Sequence, residues 1–92
     1  MWYLYILRTK DGRLYTGITK DLVRRMKQHQ TGKGARFTKI FGFEELLFSQ
    51  RLLSQSEALK READVKTWPK TKKLKLIAGN IRLRSKKSAE SV

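Results

Sequence analysis

Tyr3, Tyr5, Tyr15, Arg25 and His29 are side chains of types that handle phosphate, and they fall within the first 29 residues. The stretch that carries them reads Y-L-Y-I-L-R-T-K-D-G-R-L-Y-T-G-I-T-K-D-L-V-R-R-M-K-Q-H, from Tyr3 to His29. It has the pattern of a β-hairpin that runs straight into a helix. On such a scaffold Tyr3 and Tyr5 share one face of the first strand and Tyr15 sits on its partner. Arg25 and His29 lie one helical turn apart on one side of the helix. Phenols, a guanidinium and an imidazole gathered in a small basic domain point to chemistry on a phosphate. Arg25 can fork onto two phosphate oxygens, which a lysine does less well.

The elements that must position these groups follow from periodicity and turn chemistry. Residues 2–7, W-Y-L-Y-I-L, are a near-continuous apolar run. That suits a strand covered on both faces, hence the central one. Alternation puts Trp2, Leu4 and Ile6 on one face and Tyr3, Tyr5 and Leu7 on the other. Lys10-Asp11-Gly12 marks a tight turn, and Leu14-Tyr15-Thr16-Gly17 returns as the second strand. Gly17 marks a place where backbone or ligand approaches closely.

Thr19 or Asp21 caps a helix over Asp21–Thr31, with Leu22, Val23 and Met26 as its buried stripe. Gly32 and Gly34 break it. Ala35–Ile40 reads as a short helical turn before Gly42, and Leu46–Ser49 as a third strand with Glu44 and Glu45 just ahead of it. Ser54-Gln55-Ser56-Glu57 is a capping box that opens a helix to Lys66. Its apolar positions are Ala58, Leu59, Ala63 and Val65, and Glu62 falls in the middle of that arc, where an acid is unexpected. Pro69 suits the first turn of a final helix with Leu74, Leu76 and Ile77 buried, and Gly79-Asn80 is a stop signal. The expected fold class is α+β: a small three-stranded antiparallel sheet, first strand central, flanked by helices.

Charge is the dominant global feature. Lys and Arg number 22 against 8 Asp and Glu, a net charge of +14 at pH 7. Such an excess implies a polyanionic partner, nucleic acid before membrane. Charge alone supplies affinity for phosphates and neither sequence preference nor catalysis. No cysteine is present and histidine occurs once, which removes disulfides, thiolate metal sites and an ordinary zinc site from consideration. No apolar run is long enough for a membrane span, and residues 2–7 are too short for a signal-peptide core, so the expected location is the cytoplasm. The expected domain covers residues 1–80. Residues 81–92, basic and with little to bury, are expected to be a disordered tail. Expected phosphate contacts are Arg24, Lys33, Arg36, Lys70, Lys72 and Lys73.

Taken together, Tyr3-Leu4-Tyr5, Tyr15-Thr16-Gly17, Arg25 ten residues after Tyr15, and an acid on a later helix resemble the GIY-YIG nuclease domain. The resemblance extends over residues 2–78. It is closest to a small stand-alone branch of the family with Y-x-Y-I-L, D-G-x-L-Y-T-G-I-T-x-D-L-x-R-R-x-x-x-H, G-K-G-A-[KR]-[FY]-T and S-E-A-L-x-R-E. Each short tyrosine motif is weak by itself, whereas the ordered set with its spacings is specific. The resemblance implies that Tyr5 and Tyr15 are the motif tyrosines, Arg25 the phosphate-binding arginine and Glu62 the metal-binding glutamate; His29 matches a histidine of several branches. Tyr3 and Thr16 depart from the motif's name. Ile18 stands where some members, such as the excision-repair nuclease subunit, carry a lysine.

The activity so implied is endonucleolytic cleavage of DNA, in structured or damaged substrates, assisted by one Mg²⁺ or Mn²⁺ on Glu62. Tyr5 is the candidate general base with Tyr15 beside it. An ordinary phenol titrates near 10, so a nearby metal and Arg25 are expected to favour the phenolate. His29 is a candidate proton shuttle. DNA is the expected partner ahead of RNA, no membrane is expected, and the protein is expected to be a monomer or weak dimer. The competing expectation is a nucleic-acid-binding module or adaptor that keeps the fold without turnover.

Overall fold

The computed structural model describes residues 1–79. The N-terminal apolar run forms β1 (Trp2–Thr9), and it lies between β2 (Leu14–Thr19) and β3 (Phe43–Leu52), antiparallel to both. A central strand must be apolar on both sides when both faces of the sheet are covered. Accordingly Leu4, Tyr5, Ile6 and Leu7 are all fully buried. Gly12 takes the hairpin turn at φ +87°, and the turn closes through Gly12 N–H to the Thr9 carbonyl at 3.0 Å.

One face of the sheet carries the apolar core. Leu4, Ile6, Phe48 and Val65 meet there, with Leu14, Ile18, Leu52, Trp68, Leu76 and Ile77 packed around them. The cover is α3 (Gln55–Lys66) and a last helix, α4, over residues 70–79. Ser54 caps α3 by accepting from Glu57 N–H at 3.2 Å. The other face, toward which Tyr5 projects, is covered by α1 (Leu22–Gln30) and α2 (Arg36–Phe41). Asp21 caps α1, its carboxylate accepting from Arg24 N–H at 3.0 Å. Thr19 instead ties the approach to the helix, its hydroxyl accepting from Asp21 N–H at 3.1 Å.

Several expectations are corrected. The third strand is longer than Leu46–Ser49, and Glu44 and Glu45 lie inside it, where both pair with Arg8 of the neighbouring β1. Val23 is 69% exposed, because a nine-residue helix on a three-stranded sheet turns only one narrow side inward. Leu59, Ala63 and Leu74 also face solvent. The inward stripe of α3 is Ala58, Glu62 and Val65, spaced as one helical face. The stop expected at Asn80 and the tail over 81–92 lie outside the described residues. Among the described residues no helix is long and apolar enough to cross a membrane.

Candidate active site

The hairpin and α1 bring Tyr5, Tyr15 and His29 into one cluster. Ring centroids are 6.3 Å apart for Tyr5 and Tyr15, and 5.6 Å for His29 with each tyrosine. Tyr5 reaches out over β2 at its register partner Gly17. A Cβ on residue 17 would lie 2.5 Å from the Tyr5 Oη and 2.7 Å from its Cζ, so the missing side chain is what gives the phenol its path. The close approach expected at Gly17 is thus by a side chain of the same protein.

His29 is 1% exposed and bonded at both ring nitrogens. Its Nε2 is 2.8 Å from the Tyr5 hydroxyl and its Nδ1 is 2.7 Å from the Thr38 hydroxyl. An aromatic wall surrounds the pair: Phe43 stacks on His29 at 6.4 Å and Phe37 packs on Tyr15 at 5.5 Å. The Arg25 side chain lies on the same side of α1, donating from Nε to the Gln28 amide oxygen at 3.1 Å. Its neighbour Arg24 points to solvent.

Burial sets the proton affinities. The Tyr5 phenol is pushed up to about 12, first by desolvation and then by Tyr15; Arg25 draws it down without offsetting these, and Glu62 adds a small push upward. Arg25 thus acts in the expected direction, but without a metal desolvation is the larger effect. The same burial, helped by Arg25, pushes the His29 imidazole down to about 4. At neutral pH the resting pair is therefore a neutral phenol bonded to a neutral imidazole.

Glu62 lies on the inward stripe of α3 with its side chain 18% exposed, 3.3 Å from the Lys66 ammonium one turn on. Among the described residues no group of three His, Cys, Asp or Glu gathers. Any cation here would be held by one carboxylate, water and substrate phosphate, a donor set that suits a hard ion of the Mg²⁺ kind. Glu62 fits that role, because its carboxylate is not wholly buried and its Lys66 partner is half-exposed.

The cations expected to meet phosphate divide into two groups. Arg24 lines a cleft of about 350 Å³ with Trp2, Lys20, Arg25 and Gln28, next to the phenol cluster. Lys33 and Arg36 line a second cleft, with Lys39, at the start of α2. Lys70, Lys72 and Lys73 belong to α4, which covers the opposite face of the sheet. Lys70 donates to the Gly12 carbonyl at 2.7 Å, Lys72 sits 4.2 Å over the Trp68 ring, and Lys73 is partly buried. Ile18 packs against the apolar core.

Sequence reasoning gave no site role to Phe37, Thr38 or Phe43, and read Gly34 only as a helix breaker. The G-K-G-A-R-F-T stretch held the signal for three of them: a glycine, an aromatic and a hydroxyl spaced three and four apart, shortly after a helix with a histidine in its last turn.

A hairpin and helix thus present two phenols, an imidazole and a guanidinium, with a carboxylate on a later helix. Residues 1–75 match the model of the GIY-YIG catalytic domain, and the chain belongs to that family, which is one of endonucleases. The chain is similar to a UPF0213 protein of Staphylococcus saprophyticus, 47% identical over 76 residues that make up 83% of this chain and 93% of the relative. A UPF0213 protein of Cronobacter sakazakii is 47% identical over 88 residues, 96% of this chain and 93% of that protein. The solution structure of a UPF0213 protein from Bacillus halodurans matches with a TM-score of 0.54 and 42% identity, covering 85% of this chain and 84% of that one.

Proposed function

We propose that the protein is a divalent-metal-dependent endonuclease that hydrolyses phosphodiester bonds in DNA. The observation that carries this reading is the buried hydrogen bond between Tyr5 and His29 beside Arg25. A desolvated phenol–imidazole pair beside a guanidinium supplies proton-transfer groups that hydrolysis needs and binding alone does not. Arg25 neutralises and orients the phosphate. Tyr5 Oη takes a proton from the attacking water as its own proton passes to His29 Nε2, which becomes a transient imidazolium, so the resting protein needs no free phenolate. Tyr15 closes the aromatic side of the site and excludes bulk water. A bound Mg²⁺ or Mn²⁺ on Glu62 would supply charge relief at the phosphate and its leaving oxygen.

Arg24, Lys33 and Arg36 offer backbone contacts, not base-edge readout, which supports recognition of branched or flapped DNA by shape. The test is cleavage of supercoiled plasmid, branched DNA and structured RNA with Mg²⁺ or Mn²⁺, beside EDTA controls and the variants Tyr5→Phe and Glu62→Ala. Metal-dependent cutting that both variants lose is expected. Tight, salt-sensitive binding by folded wild type with no cutting would overturn the enzyme reading in favour of a binding module.

A further inference from the structure

We propose that Thr38 is a positioning residue that holds His29 as the Nδ1–H tautomer, leaving Nε2 as a lone-pair acceptor aimed at the Tyr5 hydroxyl. A neutral imidazole carries one N–H, and each ring nitrogen here faces a hydroxyl that can either donate or accept. Two states satisfy the ring. In the first, Nδ1–H donates to Thr38 Oγ1 and the Tyr5 hydroxyl donates to Nε2. In the second both bonds reverse. His29 is almost wholly excluded from solvent, so its protein neighbours make the choice.

The two ends choose the same state. Thr38 Oγ1 lies 3.1 Å from the Ala35 carbonyl oxygen, one turn earlier in the chain. Two oxygens at that distance attract only with a proton between them, so the Thr38 proton belongs on Ala35 and its lone pair faces Nδ1. At the other end, the Arg25 guanidinium, which donates and never accepts, favours the Tyr5 oxygen as an acceptor. In the reversed state the Tyr5 oxygen would receive from Nε2–H with the Arg25 cation competing for its lone pairs, whereas in the first state the phenol proton has the 2.8 Å bond to Nε2.

Gly34 fixes the ring in this arrangement. A Cβ there would lie 2.6 Å from Nδ1, 2.8 Å from Cγ and 2.8 Å from the His29 backbone nitrogen. The segment from Gly32 to Thr38 is thus a clamp on one imidazole: glycine backbone against the ring, threonine hydroxyl on its inner nitrogen. The catalytic consequence rests on the nuclease reading, because only then does Nε2 receive the proton that Tyr5 gives up. The tautomer itself does not.

His29 is the only histidine in the chain, so selective ¹⁵N-histidine labelling reports this ring alone. At pH 7 the wild type is expected to show Nδ1 as the protonated, pyrrole-type nitrogen and Nε2 as the pyridine-type nitrogen. Thr38→Ser should keep that pattern, and Thr38→Val, which removes the acceptor, should shift it toward Nε2–H. A wild-type spectrum with pyridine-type Nδ1, or a folded Thr38→Val protein with the wild-type pattern, overturns the proposal. With a cleavable DNA substrate, Thr38→Val should lower kcat by about tenfold or more with KM nearly unchanged, and Thr38→Ser should restore it. Absence of cutting by wild type with the Nδ1–H pattern intact would refute the nuclease reading and leave the tautomer assignment standing.

Discussion

Acid should loosen this protein through His29. Folding holds the imidazole down at about 4 from an ordinary 6.5. Between those values the unfolded chain takes up a proton that the folded chain refuses, so stability rises with pH across the window and falls as the solution is acidified. Above about pH 6.5 both states are neutral and His29 adds no slope. Each pH unit of the gap is worth about 1.4 kcal/mol, which gives a loss of about 2 kcal/mol by pH 5 and about 3 kcal/mol by pH 4. For a domain whose whole stability is of order 5–10 kcal/mol that is a large fraction. Urea unfolding at pH 7.5, 6 and 5, followed by the fluorescence of Trp2 and Trp68, measures it directly. His29→Gln supplies the reference, since it cannot titrate. The Asp11 carboxyl, held below its usual range by Thr9 and Arg13, loses its contribution only at lower pH and does not confuse the comparison. Equal pH slopes for wild type and His29→Gln, or an imidazole that titrates near 6.5 in the folded protein, would refute the reasoning.

Gly17→Ala should destabilise the fold by about 1–3 kcal/mol and disturb the Tyr5–His29 bond, because the new methyl meets a buried ring hemmed in on all sides; an unchanged Tm with an unchanged His29 spectrum would contradict this. Glu62→Gln should leave the fold intact, since the Lys66 partner is half-exposed and such a pair contributes less than about 1 kcal/mol, yet remove the metal dependence of cleavage; an unfolded variant would make Glu62 a structural residue. DNA binding should weaken by about tenfold or more between 50 and 200 mM salt, measured by anisotropy. Salt-independent binding would exclude the basic surface as the contact.

Much of the scaffold was legible because it is written in local chemistry. The apolar run of β1, the glycine at the hairpin turn, and the Asp21 and Ser54 caps each act within a few residues, so periodicity and side-chain type suffice to read them. The placement of Glu62 among Ala58 and Val65 was legible for the same reason, being a matter of helical spacing. The net charge needed only counting.

What only the tertiary structure decided involves pairs distant in the chain. Leu59, Ala63 and Val23 have the types of core residues, yet a small sheet can cover only one narrow side of each helix, and they face water. Glu44 and Glu45 became strand residues because β1 continues to Thr9 and pairs with the backbone as far back as Phe43. Tyr5 and His29 are 24 positions apart. Their types were visible, but not the burial that pushes the phenol up and the imidazole down, because desolvation depends on everything packed around a group and not on its sequence neighbours. The roles of Gly17 and Gly34 were hidden likewise, since their missing side chains matter only because another ring lies where a Cβ would be. The sequence by itself determined which chemical groups the protein owns and which local elements carry them. Folding determined which of those groups lose their water, and hence which protons they hold.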